Sequence, residues 1–452
     1  VIDTLEQVGA RENTLVIYIA GDNGASLEGN LQGSANLMAQ VNGVPETTTD
    51  LLRQLDDLGG PETTPFYPAG WAWAGNTPFQ WGKRIASHLG GSRDPLVISW
   101  PQRIKDAGGI RPQFHHVIDL YPTILEAAGI PTPVSVNGVA QQPGEGISLA
   151  YTFDHPAAAD RRTTQYFELL GNRAIYHDGW MATVRSGLLP WAYTQIVDFD
   201  GQPWELYDLT KDYSETFNLA ALHPDRLAAL QTLFKSEAEK HHVFPLNFLV
   251  AGRQHSNSTP PAGRACYTYY AGPGRLYDAL APHTENRSHT ITAYVTIPTA
   301  GADGVLLAHG GSACGYALFL KNSRPTYTYN FFRNEVTTVT APDPLPPGPA
   351  SIQVHFIYSG GGLGKGATVE LSINGRKVAA GWLPRTVPVA FSFEETMDIG
   401  EDSASPVGDY RSPFKFTGGL DRVELAYDAP LLAPADQKRL EAARAKAEAI
   451  KQ

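Results

Sequence analysis

The spacing of hydrophobic positions changes partway along this chain of 452 residues. In the first part, continuous apolar runs such as TLVIYIAGD (14–22) and DPLVISWP (94–101) alternate with helically spaced stretches at 115–130 and 223–242. Continuous apolar runs are typical of strands covered on both faces, and amphipathic helices between them are typical of α/β folds. The pattern therefore predicts an α/β domain over residues 1–250, and hairpin turns within 163–184 predict a small antiparallel sheet inside it.

Beyond residue 264, apolar and polar positions alternate in short segments that end at Gly, Asn or Pro. Examples are SHTITAYVTI (288–297) and ASIQVHFIYS (350–359), and the Asn-Gly step in SINGRKV (372–378) predicts a tight hairpin. Such segments predict an all-β sandwich over 264–430, similar in pattern to concanavalin-like or laminin-G-like folds. The polar, proline-rich residues 251–263 predict a linker, and residues 431–452 predict a C-terminal helix.

Composition narrows the range of functions. The net charge of -11 argues against nucleic acid as a partner, which would favour a basic face. No apolar run approaches the roughly 20 residues that a helix needs to span a bilayer, so no membrane span is predicted. The two cysteines, Cys266 and Cys314, lack metal-binding spacing; whether they pair stays open, as does a cytoplasmic or periplasmic location in a bacterium.

The first candidate site is the Asp22-Asn23-Gly24 step after the first apolar run. A carboxylate and an amide oxygen are hard donors that suit Ca²⁺ or Mg²⁺, and the carboxyl ends of parallel strands face ligand-binding crevices. By themselves, these three residues fit an ordinary turn as well. Lys83 is the second candidate, because an ammonium beside a divalent metal would form an anion pocket; a solvated surface lysine is the alternative.

Aromatic and histidine side chains offer weaker candidates. The long insert between Gly24 and Lys83 contains Trp71, Trp73, Phe79 and Trp81, which would wall a pocket for an aryl or sugar group or simply fix a long loop. Histidines can be metal ligands but are more often packing residues. The candidates in this half are His88, His115 and His116. Arg93 and Asp94 would either pair with each other or brace the metal loop.

Four blocks together resemble the C-terminal half of the type I sulfatases, and most closely the larger bacterial arylsulfatases. In chain order they are NTLVIYIAGDNG, KRIASHLGGSRDPLVISWP, VIDLYPTILEAAGI and WELYDLTKDYSETFNLA, within residues 10–245. The resemblance implies an alkaline-phosphatase-like α/β fold and metal-dependent hydrolysis of a sulfate ester. The metal would be Ca²⁺, with Mg²⁺ as the alternative, and the partner a small aryl or sugar sulfate.

The resemblance also assigns roles to residues. Asp22 and Asn23 map onto two metal ligands, and Lys83 maps onto the lysine that contacts sulfate oxygens. Trp81 and Trp73 are the candidate substrate-binding aromatics. The family's nucleophile is a formylglycine made within a C/S-x-P-x-R segment. Neither cysteine lies in such a segment, because Cys266 is followed by YTYY and Cys314 by GYAL. The resemblance thus predicts a fragment whose nucleophile and remaining ligands belong to an N-terminal half ahead of Val1, and which is inactive by itself.

Two other functions remain open at this point. A phosphatase, phosphodiesterase or phosphonate hydrolase of the same superfamily would share these blocks, and so would a noncatalytic carbohydrate-binding protein on a degenerate sulfatase fold. The sandwich supports the second through four acidic residues that would hold a Ca²⁺: Asp398, Glu401, Asp402 and Asp409. The alternative is a sandwich that only packs on the catalytic domain.

Overall fold

The structure is a computed structural model that describes residues 1–60, 63–187, 189–190, 198–199, 201–246, 264–270, 272, 275–428 and 432–450. The predicted linker at 251–263 lies outside the described residues. The chain divides into two compact units, Val1–Leu27 with Gly70–Phe248 and Glu28–Ala69 with Leu249–Gln452. The first unit is mixed α/β and the second is largely β-sheet, as the sequence pattern predicts. Residues 28–69, which the sequence analysis kept with the first domain, belong to the second unit.

The secondary structure follows the change in hydrophobic spacing. The helices are α1 (Ile2–Gln7), α2 (Leu37–Val41), α3 (Thr48–Arg53), α4 (Ala69–Asn76), α5 (Leu89–Ser92), α6 (Leu120–Ala128), α7 (Tyr151–Asp154), α8 (Pro224–Lys240) and α9 (Pro434–Ile450). The strands of the first unit are β1 (Val16–Ile19), β2 (Leu96–Ser99), β3 (Ser135–Val136), β4 (Val139–Ala140), β5 (Thr164–Leu169), β6 (Asn172–His177), β7 (Trp180–Val184) and β8 (Glu205–Asp208).

The second unit contributes the strands of the sandwich. They are β9 (Cys266–Tyr270), β10 (Arg275–Tyr277), β11 (His289–Ile297), β12 (Gly304–Gly310), β13 (Gly315–Lys321), β14 (Arg324–Phe331), β15 (Glu335–Thr340), β16 (Gly348–Tyr358), β17 (Ala367–Ile373), β18 (Arg376–Leu383), β19 (Thr396–Ile399) and β20 (Gly419–Tyr427). They form two six-stranded sheets, in the orders β10-β19-β12-β13-β14-β15 and β18-β17-β16-β11-β20-β9. The predicted Asn374-Gly375 turn joins β17 to β18, and both of its residues have positive φ.

The strand before Asp22 differs from the prediction in direction. β1 pairs with β2 in an antiparallel sheet, in which Val16 lies opposite Ser99 and Ile19 opposite Leu96. The expectation of a parallel strand covered on both faces is therefore wrong for the described residues, in which Tyr18 is 63% exposed. An apolar run encodes strand formation but not strand direction, because direction depends on the partner. The antiparallel pairing brings the end of β1 to the start of β2.

The sheet of β5 to β8 separates two hydrophobic layers. β5, β6 and β7 follow one another through the turns predicted within 163–184, β8 pairs with β7, and side chains alternate between the two faces. Ile175, Ala182 and Leu206 pack against helix α8 on one face. Met181 and Tyr207 pack on the other face with Leu89 of α5. This second layer fixes the loop that carries Lys83 to a rigid sheet.

A buried carboxylate, Asp119, ties together three segments of the first unit. It accepts hydrogen bonds from His115, from the backbone N–H groups of His116 and Ile147, and from the Arg162 guanidinium. Burial raises the pKa of Asp119, but the hydrogen bonds from His115 and Arg162 outweigh it and leave the pKa well below its ordinary value. His115 and His116 therefore serve packing and capping.

The part of the insert that belongs to the second unit makes hydrogen bonds to the sandwich. Asn36 donates to the carbonyl oxygens of Ala313 and Phe332, and Asn42 exchanges hydrogen bonds with the backbone at 389–390.

Two of the acidic residues predicted to hold Ca²⁺ bind neighbouring side chains instead. Asp398 accepts from Thr396 and Ser403, and Asp402 accepts from Tyr410 at 2.5 Å. Throughout the described ranges, no three His, Cys, Asp or Glu side chains form a group that could hold a metal, so the sandwich offers no evidence for the Ca²⁺ site. Similarly, no helix among the described residues has the length and apolar character to cross a membrane.

Replacing Asp119 by Asn should destabilise the first unit strongly. The change leaves the buried Arg162 guanidinium without its counter-charge, and breaking a buried pair in this way typically costs about 3–5 kcal/mol. Thermal unfolding followed by circular dichroism checks this. Asp106→Asn, which loosens the exposed pair with Arg111, is the matched control and should shift Tm only slightly. Equal shifts for the two variants would show that Asp119 has no such role.

Candidate functional site

Backbone hydrogen bonds hold the Asp22-Asn23 segment between two other segments. Ala20 N–H donates to Pro95 O (3.1 Å) and Gly24 N–H donates to Gly91 O (3.2 Å). On the other side, Lys83 N–H donates to Ala25 O (3.0 Å). The residues predicted to bind metal and the lysine predicted to bind sulfate are thus joined through only two residues, Gly24 and Ala25.

Close approach of the backbone explains the glycines of this region. A Cβ on Gly24 would overlap the carbonyl of Gly90, and a Cβ on Gly82 would stand 2.5 Å from Ala25 O. Asn76 completes the junction, because its side chain accepts from Ala25 N–H (3.0 Å) and donates to Trp81 O (2.7 Å). Gly24 is therefore required for chain packing, which an isolated Asp-Asn-Gly turn would not need.

The oxygen donors at the end of β1 are Asp22, Asn23 and a third residue, Asp94. Asp22 is exposed and Asn23 half-buried, and Asn23 Nδ2 donates to Asp22 Oδ1 at 2.9 Å. Burial, and then the charge of Asp22, raise the pKa of Asp94. Two carboxylates and an amide oxygen are the donor types that Ca²⁺ prefers, and their mutual repulsion is what a cation would relieve. The donor set fits part of a calcium site; among the described residues it does not reach three carboxylate or histidine ligands.

Lys83 lies on a loop with an unusual backbone. It is half-buried, and two non-glycine residues near it, Trp81 (φ 67°) and Arg84 (φ 76°), have positive φ. Such conformations cost of order 1–3 kcal/mol each and persist only where the surroundings hold them. Here Asn76 holds Trp81 O, and Asn172 Nδ2 donates to Arg84 O at 3.1 Å. The loop is therefore fixed on both sides of Lys83.

The aromatic residues of the insert divide into two groups. Trp73 and Trp81 meet edge to face with ring centroids 5.4 Å apart, and the Arg185 guanidinium lies over the Trp81 ring at 4.6 Å. Trp71, on the same helix α4 as Trp73, is 72% exposed. Phe79 instead packs on Tyr213, with Arg93 over both rings. Trp81 and Trp73 remain the candidates for substrate contact.

His88 belongs to a buried support behind the Lys83 loop. Its ring contacts Ser87 Oγ (2.9 Å) and Glu205 Oε2 (3.2 Å). The three side chains have the composition of a Ser-His-Glu triad, but Ser87 is fully buried, so its hydroxyl has no access to a substrate. The hydrogen bond from His88 is the main reason that the pKa of Glu205 lies below its ordinary value.

Glu215 supports the same loop through hydrogen bonds. It is fully buried, its Oε2 accepts from Leu89 N–H (2.9 Å), and its carbonyl oxygen accepts from the Gln80 side chain. Burial raises the pKa of Glu215 to about 7. Sequence reasoning missed Glu215, Asn76 and Asn172 as supports, and the sequence carries little signal for them, since Asn and Glu are also common on surfaces.

The first part of the chain matches known protein families. Residues 1–130 match the family model described as Sulfatase, and residues 80–242 match the model described as N-sulphoglucosamine sulphohydrolase, C-terminal. An uncharacterized sulfatase of Schizosaccharomyces pombe is 32% identical over 235 residues, which are 51% of this chain and 38% of that protein. Arylsulfatase K of Danio rerio is 28% identical over 159 residues, 34% of this chain and 27% of that protein.

Residues 1–242 of this chain therefore belong to the sulfatase family, within the alkaline phosphatase superfamily, as the four sequence blocks imply. The chain spans only about a third of the length of the curated relatives that it matches. A solved structure concerned with the metabolism of glycosaminoglycans by Bacteroides thetaiotaomicron is 18% identical, with a TM-score of 0.32 over 52% of this chain and 41% of that one. At that TM-score it adds nothing to the assignment.

The raised pKa of Glu215 predicts a pH-dependent stability. Because the folded pKa of about 7 exceeds the ordinary value of 4.5, the folded state binds a proton that the unfolded state loses in this range. The contribution of Glu215 to the free energy of unfolding should thus be highest below pH 4.5. It should fall by up to about 3 kcal/mol as pH rises through 7.

Glu215→Gln should abolish this dependence. The variant and the wild type should have similar Tm values at pH 5, and the variant should be more stable at pH 8. Thermal unfolding at both pH values measures the difference, and Glu239→Gln on the exposed face of α8 is the control. A wild type with a higher Tm than the variant at pH 8 would mean that the ionised Glu215 is stabilising.

Proposed function

We propose that this chain provides one side of the active site of a sulfuric ester hydrolase, with Asp22 and Asn23 as metal ligands and Lys83 as the sulfate-binding lysine. The observation that supports the proposal most is the hydrogen bond from Lys83 N–H to Ala25 O, since it joins the two predicted groups within one rigid junction. Family membership of residues 1–242 supports the reaction class.

The chemistry divides between a metal and the side chains of this chain. Asp22 and Asn23, together with Asp94, would hold Ca²⁺, which when bound polarises an oxygen of the group being transferred. Lys83 would bind sulfate oxygens and offset the negative charge that grows on them during the reaction. Its fixed loop serves this role, because electrostatic stabilisation depends on donors that need no rearrangement.

The nucleophile would come from outside this sequence. Neither cysteine lies in a C/S-x-P-x-R segment, which in the family provides the formylglycine. The one match with serine, Ser99 to Arg103, begins at the last residue of β2, and Ser99 Oγ accepts a hydrogen bond from Arg11 at 2.5 Å. Ser87 is buried against His88 and does not replace the formylglycine. We therefore infer that the 452 residues by themselves bind metal and sulfate but do not turn over a sulfate ester.

Calcium binding is the first test. Ca²⁺ should raise the Tm of the isolated chain, because a ligand that binds only the folded state stabilises it. Asp22→Ala should abolish most of this rise, since the remaining donors cannot replace a carboxylate. Asp178→Asn, in an exposed turn of the same unit, should keep it. A Tm rise of equal size in both variants would place the metal elsewhere.

Catalysis is the second test, in a polypeptide that joins this chain to a segment with the matured formylglycine. Lys83→Ala should lower kcat/KM for an aryl sulfate by at least about 100-fold, the usual effect of removing one oxyanion-stabilising donor. Lys211→Ala, which removes an exposed lysine paired with Asp208, is the control and should leave turnover unchanged. Unchanged turnover in Lys83→Ala, or a preference for aryl phosphate in the wild type, would contradict the assignment.

A further inference from the structure

We propose that Arg185 is a second anion-binding residue beside Lys83, and that it selects substrates carrying another negatively charged group, a carboxylate or a second sulfate, on the aryl or sugar part. The inference rests on the proposed function, because it takes Lys83 as the residue that receives the reacting sulfate. It extends that function from a reaction class to a substrate class.

One buried side chain places Arg185 next to the Lys83 loop. Asn172 is almost fully buried at the start of β6. Its Nδ2 donates to Arg84 O (3.1 Å), and its Oδ1 accepts from Ser186 N–H (2.9 Å). A single carboxamide therefore clamps the residue after Lys83 to the residue after Arg185. The backbone next to each of the two cations is therefore held by the same buried residue.

The Arg185 side chain has capacity to bind a ligand. Its guanidinium lies over the Trp81 ring at 4.6 Å, and within the described ranges its buried Nη1 has no hydrogen-bond partner. A buried donor without a partner costs about 1–3 kcal/mol, more for a charged group, and a bound anion would recover this cost. The planar guanidinium suits a carboxylate or sulfate in particular, because it presents two parallel N–H donors.

The nearby carboxylate of Glu205 binds two other side chains, and the charge of Arg185 contributes the smallest part of the lowering of its pKa. Its Oε2 contacts the His88 ring at 3.2 Å and accepts from Tyr207 OH at 3.1 Å. Trp73 meets Trp81 edge to face, so a planar or ring-shaped ligand would find an aromatic wall beside Arg185, and Trp81 is two residues from Lys83 in the chain. The cluster of Lys83, Trp81, Trp73 and Arg185 thus combines two positive charges with an apolar surface, which fits a ring with two anionic substituents.

A second arginine–tryptophan pair provides a matched control. Arg226 lies over the Trp180 ring at 4.2 Å in the same unit, and its side chain is exposed. The two pairs share the stacking geometry, but only Arg185 is clamped to the Lys83 loop. A purely structural role of such stacking would make the two arginines respond alike to substitution.

The test measures binding by isothermal titration calorimetry on the full 452-residue chain in calcium-containing buffer. The two ligands are phenyl sulfate and 4-carboxyphenyl sulfate, which differ only in the second anionic group. We expect the wild type to bind the carboxylated ligand at least tenfold more tightly. Arg185→Gln should remove this difference and leave phenyl sulfate within about twofold. Arg226→Gln should change neither Kd, and Lys83→Ala should weaken both ligands. Arg185→Lys, which keeps the charge but not the planar fork, should retain part of the preference.

Two results would overturn the inference while leaving the proposed function intact. They are equal wild-type affinities for the two ligands, and an Arg185→Gln variant that weakens both ligands by the same factor. Failure of the proposed function has a different signature: the wild type binds neither ligand, or Lys83→Ala leaves both affinities unchanged, and the inference about Arg185 then falls with it. Circular dichroism shows whether each variant is folded. If Arg185→Gln is unfolded, the binding preference of Arg185→Lys tests the inference in its place.

Discussion

The direct packing of Gly24 on Gly90 is the constraint from which the geometry of the candidate site follows. A side chain at Gly24 would overlap the carbonyl of Gly90, so only glycine lets the segment after β1 lie against the segment before β2. The N–H of Gly24 then bonds to Gly91, and two residues further from Asn23 the carbonyl of Ala25 accepts from Lys83. Backbone polar groups buried in such a junction must pair, which makes the junction rigid.

The net negative charge of the chain does not describe the charges at the candidate site, which include two cations. The protein carries a net charge of -11, but Asn172 holds the backbone next to two cations, Lys83 and Arg185. Asp22 and Asp94 lie on the other side of the junction, where burial and mutual repulsion raise the pKa of Asp94. In the proposed function, the cations bind an anionic substrate and the carboxylates bind a metal. Such recognition depends on where the charges lie and not on the net charge of the chain.

Much of the local structure was predictable because it depends on contacts between near neighbours. The turns at Gly171 and at Asp178-Gly179, helix α8 and the Asn374-Gly375 hairpin follow from residue preferences and periodicity over short stretches. The supports of the Lys83 loop were not predictable. Glu215 contacts Leu89 from 126 positions away, and Asn172 contacts Arg84 from 88 positions away. Neither residue type has a spacing pattern that would reveal such a role.

By itself, the sequence determined the change from an α/β unit to a β-sandwich, the sulfatase family of residues 1–242, and the candidates Asp22, Asn23 and Lys83. Periodicity and ordered motifs carry this information, because each reports on residues close together in the chain. Only the tertiary structure decided that β1 runs antiparallel to β2, that residues 28–69 belong with the sandwich, and that Arg185 lies over Trp81. These features depend on pairing and packing between distant segments, where many partners satisfy the same local pattern.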